Sequence, residues 1–148
     1  MAQLHVLRLE FWRQLLEKAK QRTTLHANRS PRKGNWISAG AGRRGLTISY
    51  VIRMNDSQVE LYIDGGDKEE NKGIFDQLLA RKEQAEDAFG EPLDWQRLNE
   101  RRASRIRHVL PGGGLRDRER WPQIQEAMID AMVRLEKALK PEIARLKV

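Results

Sequence analysis

The chain of 148 residues contains no cysteine, which excludes disulfide bonds, thiolate catalysis and cysteine-ligated zinc. No stretch approaches the roughly 20 apolar residues that a membrane-spanning helix needs. The first twelve residues are interrupted by His5, Arg8 and Glu10, so they do not form the apolar centre of a signal peptide. These absences predict a cytoplasmic protein that does not enter a membrane.

Acidic residues are also missing from one long segment, between Glu17 and Asp56. The chain has a formal net charge of +7, and residues 67–92 contain more acids than bases, so the positive charge is concentrated. A local positive field attracts polyanions, above all phosphate backbones. The acid-free segment contains nine bases, which are Lys18, Lys20, Arg22, Arg29, Arg32, Lys33, Arg43, Arg44 and Arg53.

The length suits a single domain, which we predict over residues 1–148. The apolar spacing predicts an α+β fold in the order α-β-β-β-α-β-β-α, with a mainly antiparallel sheet and helices packed on one face. The four tryptophans are potential core anchors. The predicted helices span 7–22, 67–89 and about 121 onward, with Pro141 bending or ending the last, and the strands span 36–39, 46–54, 59–64, 93–95 and 106–110.

The segment Gly40–Gly45 matches the pattern G-x-G-x-x-G. A dinucleotide site needs a helix after this pattern, to hold the pyrophosphate at its N-terminus. Here a strand follows instead, so the segment is best interpreted as an ordinary hairpin loop. The alternative is a loop that contacts anions through Arg43 and Arg44.

A metal-dependent nuclease would place an Asp and a Glu-x-Lys on neighbouring strands, and Asp64, Glu70 and Lys72 are the candidates. The spacing from Asp67 to Glu70 instead predicts a helix start, where capping and solvation explain Glu70 and Lys72 better. The acids at 56, 60 and 64 resemble a solvated strand edge. The three histidines are scattered, although His108 is expected to be partly buried, and His26 belongs to the basic loop. The sequence therefore predicts no catalytic residue, no metal and no cofactor.

A second group of arginines lies between positions 97 and 107. Arg105 and Arg107 share a predicted sheet face with three acids at 60, 64 and 94, which favours cross-strand ion pairs. Tyr62 is the only aromatic residue of that predicted face, whereas the stacking of successive bases needs several aromatic side chains. Arg101 and Arg102 remain candidates for phosphate contact. The candidate nucleic-acid-binding residues are Lys20, Arg22, Arg29, Arg32, Lys33, Arg43, Arg44, Arg101 and Arg102.

The apolar stripe of the last predicted helix runs from Ile124 to Leu146. It is typical of a core, but about 26 helical residues would extend roughly 39 Å, close to the width of such a domain. An overhanging end could pair with a second copy as a homodimer. The first hypothesis is a non-enzymatic domain that binds nucleic acid through phosphates. The alternative is a protein-interaction or homodimerisation module without nucleic-acid binding.

Several short motifs together resemble the bacterial and archaeal family called domain of unknown function 4268, over about residues 11–143. They are Phe11-Trp12, Val59–Tyr62, Phe75–Leu78 with Lys82 and Glu86, Phe89–Trp95, Arg101–Ile106 and Trp121-Pro122. Members of that family often form the C-terminal part of longer proteins, some with a nuclease-like domain in front. The resemblance implies an accessory role beside a nuclease-type protein or in DNA defence, and it assigns no catalytic residue. The chain has no room for that nuclease domain, so we expect a stand-alone member or an excised piece.

Overall fold

The computed structural model describes residues 2–147, with the side chain of Ala2 left out. It contains helices and a five-stranded antiparallel sheet, so the α+β class and the order of elements are confirmed. The elements are α1 (Ala2–Ala19), β1 (Trp36–Gly40), β2 (Leu46–Ile52), β3 (Ser57–Ile63), α2 (Lys68–Leu79), α3 (Lys82–Phe89), β4 (Asp94–Gln96), β5 (Ser104–Leu110) and α4 (Trp121–Ala144). A short 3₁₀ turn, Arg118–Arg120, precedes α4.

The strands follow the order β1-β2-β3-β5-β4 across the sheet. β1 and β4 therefore form its two edges. Strands β4 and β5 are antiparallel, with Trp95 opposite Ile106 and Gln96 opposite Arg105. The packing of all helices on one sheet face remains a prediction.

The middle helix differs from the prediction, because it is divided into α2 and α3 at Ala80 and Arg81. Neither residue is a helix breaker, so the sequence carries no local sign of the division. Arg81 leaves helical geometry at φ −113° and ψ 28°. Its guanidinium Nε donates to Glu142 Oε1 at 2.6 Å. A charge-assisted contact to a distant helix thus accompanies the break.

The two predicted ends of this helical region are confirmed. The side chain of Asp67 caps α2 by accepting a hydrogen bond from the N–H of Glu70, which satisfies a free donor of the first turn. Gly90 ends α3 in the left-handed conformation, with φ at 96°.

The first helix begins earlier than predicted, at Ala2, and ends at Ala19. Pro141 lies inside α4, which continues to Ala144.

The chain forms two compact units, one of residues 2–39, 49–59 and 109–133 and the other of residues 40–48, 60–108 and 134–147. In the first unit, Phe11 packs edge-on against Trp12 and Trp121 at ring distances of 5.4 and 5.2 Å. In the second, Phe75 packs against Trp95 at 6.3 Å. The single domain over 1–148 stays a prediction.

Candidate nucleic-acid interface

In the first unit, residues 20–35 form the basic segment that joins α1 to β1. Its last residues are anchored to α1 by two backbone contacts. The indole Nε1 of Trp12 donates to the carbonyl of Gly34 at 2.9 Å, and Arg8 Nη1 donates to the carbonyl of Lys33 at 3.4 Å. These bonds fix the end of the segment against α1, while the side chains of Arg32 and Lys33 are exposed.

The cations of the basic segment are nearly all unneutralised. Lys20, Arg29, Arg32 and Lys33 are exposed, and none of them forms a salt bridge with any residue of the described part of the chain. Arg22 differs, because its guanidinium lies 3.6 Å from the carboxylate of Asp130. Four of the five candidates in this segment are therefore free to meet an anion.

An exposed tryptophan follows the basic segment. Trp36 was predicted to be a core anchor, but 43% of its surface is exposed. The guanidinium of Arg32 lies over its ring, 4.6 Å from the centroid. The next residue of β1, Ile37, is buried, with 1% of its surface exposed. Strand alternation places Trp36 on the opposite face from Ile37, which explains its exposure.

In the second unit, Gly40–Gly45 is confirmed as a strand-loop-strand connection between β1 and β2. Gly45 has a positive φ of 84°, and a Cβ there would lie 2.9 Å from the Cα of Gly65. The N–H of Asp64 donates to the carbonyl of Gly45 at 2.8 Å. This loop therefore packs closely on the turn after β3, and it presents Arg43 and Arg44.

The turn after β3 is fixed by Asp64 and the buried Asn71. Asn71 accepts from the N–H of Gly65 at 2.9 Å and donates to the carbonyl of Arg102 at 3.1 Å. Arg102 binds Asp64 through both Nε and Nη2, the latter at 2.9 Å. The hydrogen bond from Arg102 holds the pKa of the Asp64 carboxyl below its usual value and raises the pKa of Arg102 itself. The charge of Arg102 is thus partly neutralised within the chain.

Lys72 holds the segment between β4 and β5. It is only 6% exposed, and its Nζ donates to the carbonyls of Arg97, Leu98 and Ala103 and to Ser104 Oγ, at 2.5, 2.9, 2.8 and 2.9 Å. Burial lowers the pKa of Lys72, while four oxygen acceptors favour its charged form. Within this segment, Leu98 takes the unusual φ of 56°.

The second unit therefore brings four candidates to one end of the sheet. Arg43 and Arg44 lie in the loop before β2, and Arg101 and Arg102 lie just before β5. The turn after β3 contacts both of these segments through Asp64. Among residues 2–147, no salt-bridge partner exists for Arg43, Arg44 or Arg101. The other five candidates belong to the first unit.

The arginines of the strands behave as predicted. Arg107 Nε lies 2.8 Å from the carboxylate of Asp94, and Arg105 Nη1 lies 3.6 Å from that of Glu60. These are the expected cross-strand pairs. The prediction that the acids at 56, 60 and 64 form a solvated edge is wrong, because Glu60 is buried and each of the three pairs with an arginine.

In the Glu-x-Lys tripeptide, Lys72 has a structural role. The prediction from the sequence that it is solvated is wrong. Glu70 is exposed, whereas Lys72 points inward to backbone oxygens. Among residues 2–147, no three acidic or histidine side chains lie close enough together to hold a metal ion.

Two histidines are placed by ring contacts. His26 is 2% exposed and packs on Tyr50 at 4.8 Å, so it does not project from the basic loop. His108 packs against Phe89 at 5.0 Å and is partly buried, as predicted. Burial lowers its pKa.

Sequence analysis missed Trp36, Asn71 and Lys72. The position of Trp36 after the polar loop was visible in the sequence, but its exposure was not, because that depends on which face of β1 is covered. The contacts of Lys72, and the contact of Asn71 with Arg102, had no local signal, because these partners lie 25 to 32 residues further along the chain.

A family model described as Domain of unknown function (DUF4268) matches residues 7–143. The chain belongs to the DUF4268 family. The DUF4268 match confirms the resemblance expected from the sequence, and it includes all nine candidate residues. Searches of curated proteins and of solved structures each gave no match. Within the described part of the chain, no helix is both long and apolar enough to span a membrane.

Proposed function

We propose that this DUF4268 chain is a non-enzymatic accessory domain that binds nucleic acid through its phosphates. The observation that supports this proposal most is the distribution of ion pairs. Seven of the nine candidates have no salt-bridge partner among residues 2–147, and all seven lie in loops or at their borders. They are Lys20, Arg29, Arg32, Lys33, Arg43, Arg44 and Arg101.

The arginines of the sheet provide the contrast. Arg105 and Arg107, both in β5, each have an acidic partner within the same unit. A paired arginine must give up its carboxylate before it can bind a phosphate, whereas an unpaired one loses only water. The seven unpaired candidates in the loops are therefore the cations that are available to a polyanion.

The arrangement at the end of the sheet also suits a phosphate backbone. Arg43 and Arg44 are adjacent on one loop, and Arg101 lies on a segment held by the same turn. Arginine forks bind phosphate oxygens in a bidentate manner. Asn71 and Lys72 fix the backbone of the segment before β5, so little backbone entropy would be lost there on binding.

The non-enzymatic part of the proposal rests on Lys72. The lysine that a nuclease would aim at a metal-bound water donates instead to three backbone carbonyls. Chemistry on the nucleic acid would then come from a nuclease-type partner, as the family resemblance implies.

The test is a fluorescence-anisotropy titration with duplex DNA, single-stranded DNA and RNA at two salt concentrations. The double variant Arg43→Ala/Arg44→Ala should bind every sequence more weakly. For duplex DNA, the slope of log K against log salt should fall in magnitude by about 2, because each phosphate contact contributes about 0.9.

The matched control is Lys137→Ala/Lys140→Ala, which removes the same charge from two exposed positions of α4. It should retain the slope of the unmodified chain. If both variants lose the same amount of affinity, net charge alone explains the loss, and the loop Gly40–Gly45 is not part of the interface. No binding at low salt by any polymer would overturn the proposal and favour the protein-interaction module.

A further inference from the structure

Trp36 differs from the other tryptophans in its exposure and its position after the basic segment, whereas a stacked arginine is a property that it shares with Trp121. It is exposed, it lies directly after the basic segment, and its ring is stacked by a cation. Trp12 and Trp121 are buried in the first unit, and Trp95 is half-buried with its Nε1 bound to Glu86. An exposed tryptophan is costly to leave in water, because its large apolar surface gains most from contact.

The backbone around Trp36 is fixed on both sides. The carbonyl of Gly34 accepts from Trp12 at 2.9 Å, and the carbonyl of Asn35 accepts from the N–H of Ile52 at 2.8 Å. On the other side, Ile37 is buried. The ring is therefore presented from a rigid frame, so it would lose little freedom when a ligand stacks on it.

The ring's surroundings favour a ligand that is both flat and anionic. Arg32 covers the ring at 4.6 Å and has no salt-bridge partner among residues 2–147. Arg29 and Lys33 are exposed nearby in sequence, and they too have no salt-bridge partner within the described part of the chain. A guanidinium plane stacks on a base as readily as on an indole.

We propose that Trp36 and Arg32 form a stacking site for an unpaired nucleobase, with the neighbouring cations on the flanking phosphates. This inference rests on the proposed function and specifies its substrate as a single strand. In a duplex the base faces are already stacked on one another, so they are not available to Trp36. Single-strand binding proteins combine stacking aromatics and a basic groove in this way.

The experiment compares three labelled probes of equal length: a deoxythymidine strand, the same strand with abasic sites throughout, and a duplex. The abasic strand has the phosphates but no bases to stack. The unmodified chain should bind the deoxythymidine strand about 5- to 100-fold more tightly than the abasic strand. A matching ribo-strand shows whether the sugar matters.

The variant Trp36→Leu keeps an apolar side chain without a ring. It should reduce affinity for the deoxythymidine strand to that for the abasic strand, while abasic binding stays unchanged. Trp36→Phe should restore part of the difference, which a merely structural role would not predict. Circular dichroism checks that both variants are folded. If the Leu variant is unfolded, the Phe variant still tests the proposal.

The outcomes separate the two proposals. If both single strands bind equally well to the unmodified chain, phosphate binding stands and the stacking site is wrong. If Trp36→Leu weakens both strands to the same extent, the stacking site is also wrong. If none of the probes binds at low salt, both proposals are overturned.

Discussion

At the residue scale, Lys72 is the side chain that most directly shapes the candidate interface. Replacing it by Met would remove the Lys72 donor from the carbonyl of Ala103. The carbonyls of Arg97 and Leu98 would keep hydrogen bonds from Ser104 Oγ and from the N–H of Arg101. Each buried oxygen left unsatisfied costs about 1–3 kcal/mol, partly offset because no charge is then buried. We expect Lys72→Met to lower the free energy of unfolding by about 2 kcal/mol, measured by urea denaturation.

The control is Lys68→Met, which replaces an exposed lysine one turn earlier in α2. It should change stability by less than about 0.5 kcal/mol. Hydrogen exchange should also show faster opening of residues 97–104 in the Lys72 variant alone. Equal stability of the two variants would mean that the hydrogen bonds of Lys72 do not hold this segment.

The role of Lys72 was beyond the reach of sequence analysis for a physical reason. A lysine near the start of a helix is normally solvated, and the acceptors of Lys72 lie 25 to 32 residues further along the chain. No local pattern encodes such a contact. By contrast, the cap formed by Asp67 and the end formed by Gly90 depend only on near neighbours, and both were predicted.

At the scale of elements, the loop Gly40–Gly45 depends on a close backbone approach. In Gly45→Ala, the new Cβ would lie 2.9 Å from the Cα of Gly65 at a φ of 84°. The matched control is Gly42→Ala, which has a similar φ of 88° and nothing within 4 Å. Conformational strain of about 1 kcal/mol is common to both.

We expect Gly45→Ala to lose at least about 1 kcal/mol more stability than Gly42→Ala, because only Gly45 has a backbone neighbour that must move. Thermal or urea unfolding of the two variants gives the difference. Binding should follow the same order, since Arg43 and Arg44 are carried by this loop. Equal stabilities would show that the loop does not depend on its contact with Gly65.

The strands could be predicted because alternation records which face is buried, as in Val59, Leu61 and Ile63. The division between α2 and α3 could not, since it accompanies the pairing of Arg81 with Glu142, 61 residues away. Local chemistry thus determined which elements form, whereas distant contacts determined where one of them is interrupted.

At the scale of the whole molecule, the sequence shows where the positive charge lies but not which cations are free. Arg101 and Arg102 are adjacent and looked equivalent. Only Arg102 meets Asp64, 38 residues earlier in the chain. The same limit applies to Trp36, whose exposure depends on which face of β1 is covered. The family could be predicted from the order of its motifs. The unpaired cations could be identified only from the three-dimensional structure.

The last helix leads to a prediction about the state of the molecule in solution. The stripe that suggested a homodimer is buried within the chain, since Met128, Met132 and Leu135 are fully covered. Lys147 is also held, because it exchanges two hydrogen bonds with Gln77 at 2.8 and 2.9 Å. Because most of the stripe is covered within residues 2–147, we expect light scattering to give the monomer mass of 17.2 kDa over a tenfold range of concentration. A mass twice as large that falls to the monomer value in Leu146→Glu would contradict this, because it would place the interface at the half-buried end of α4.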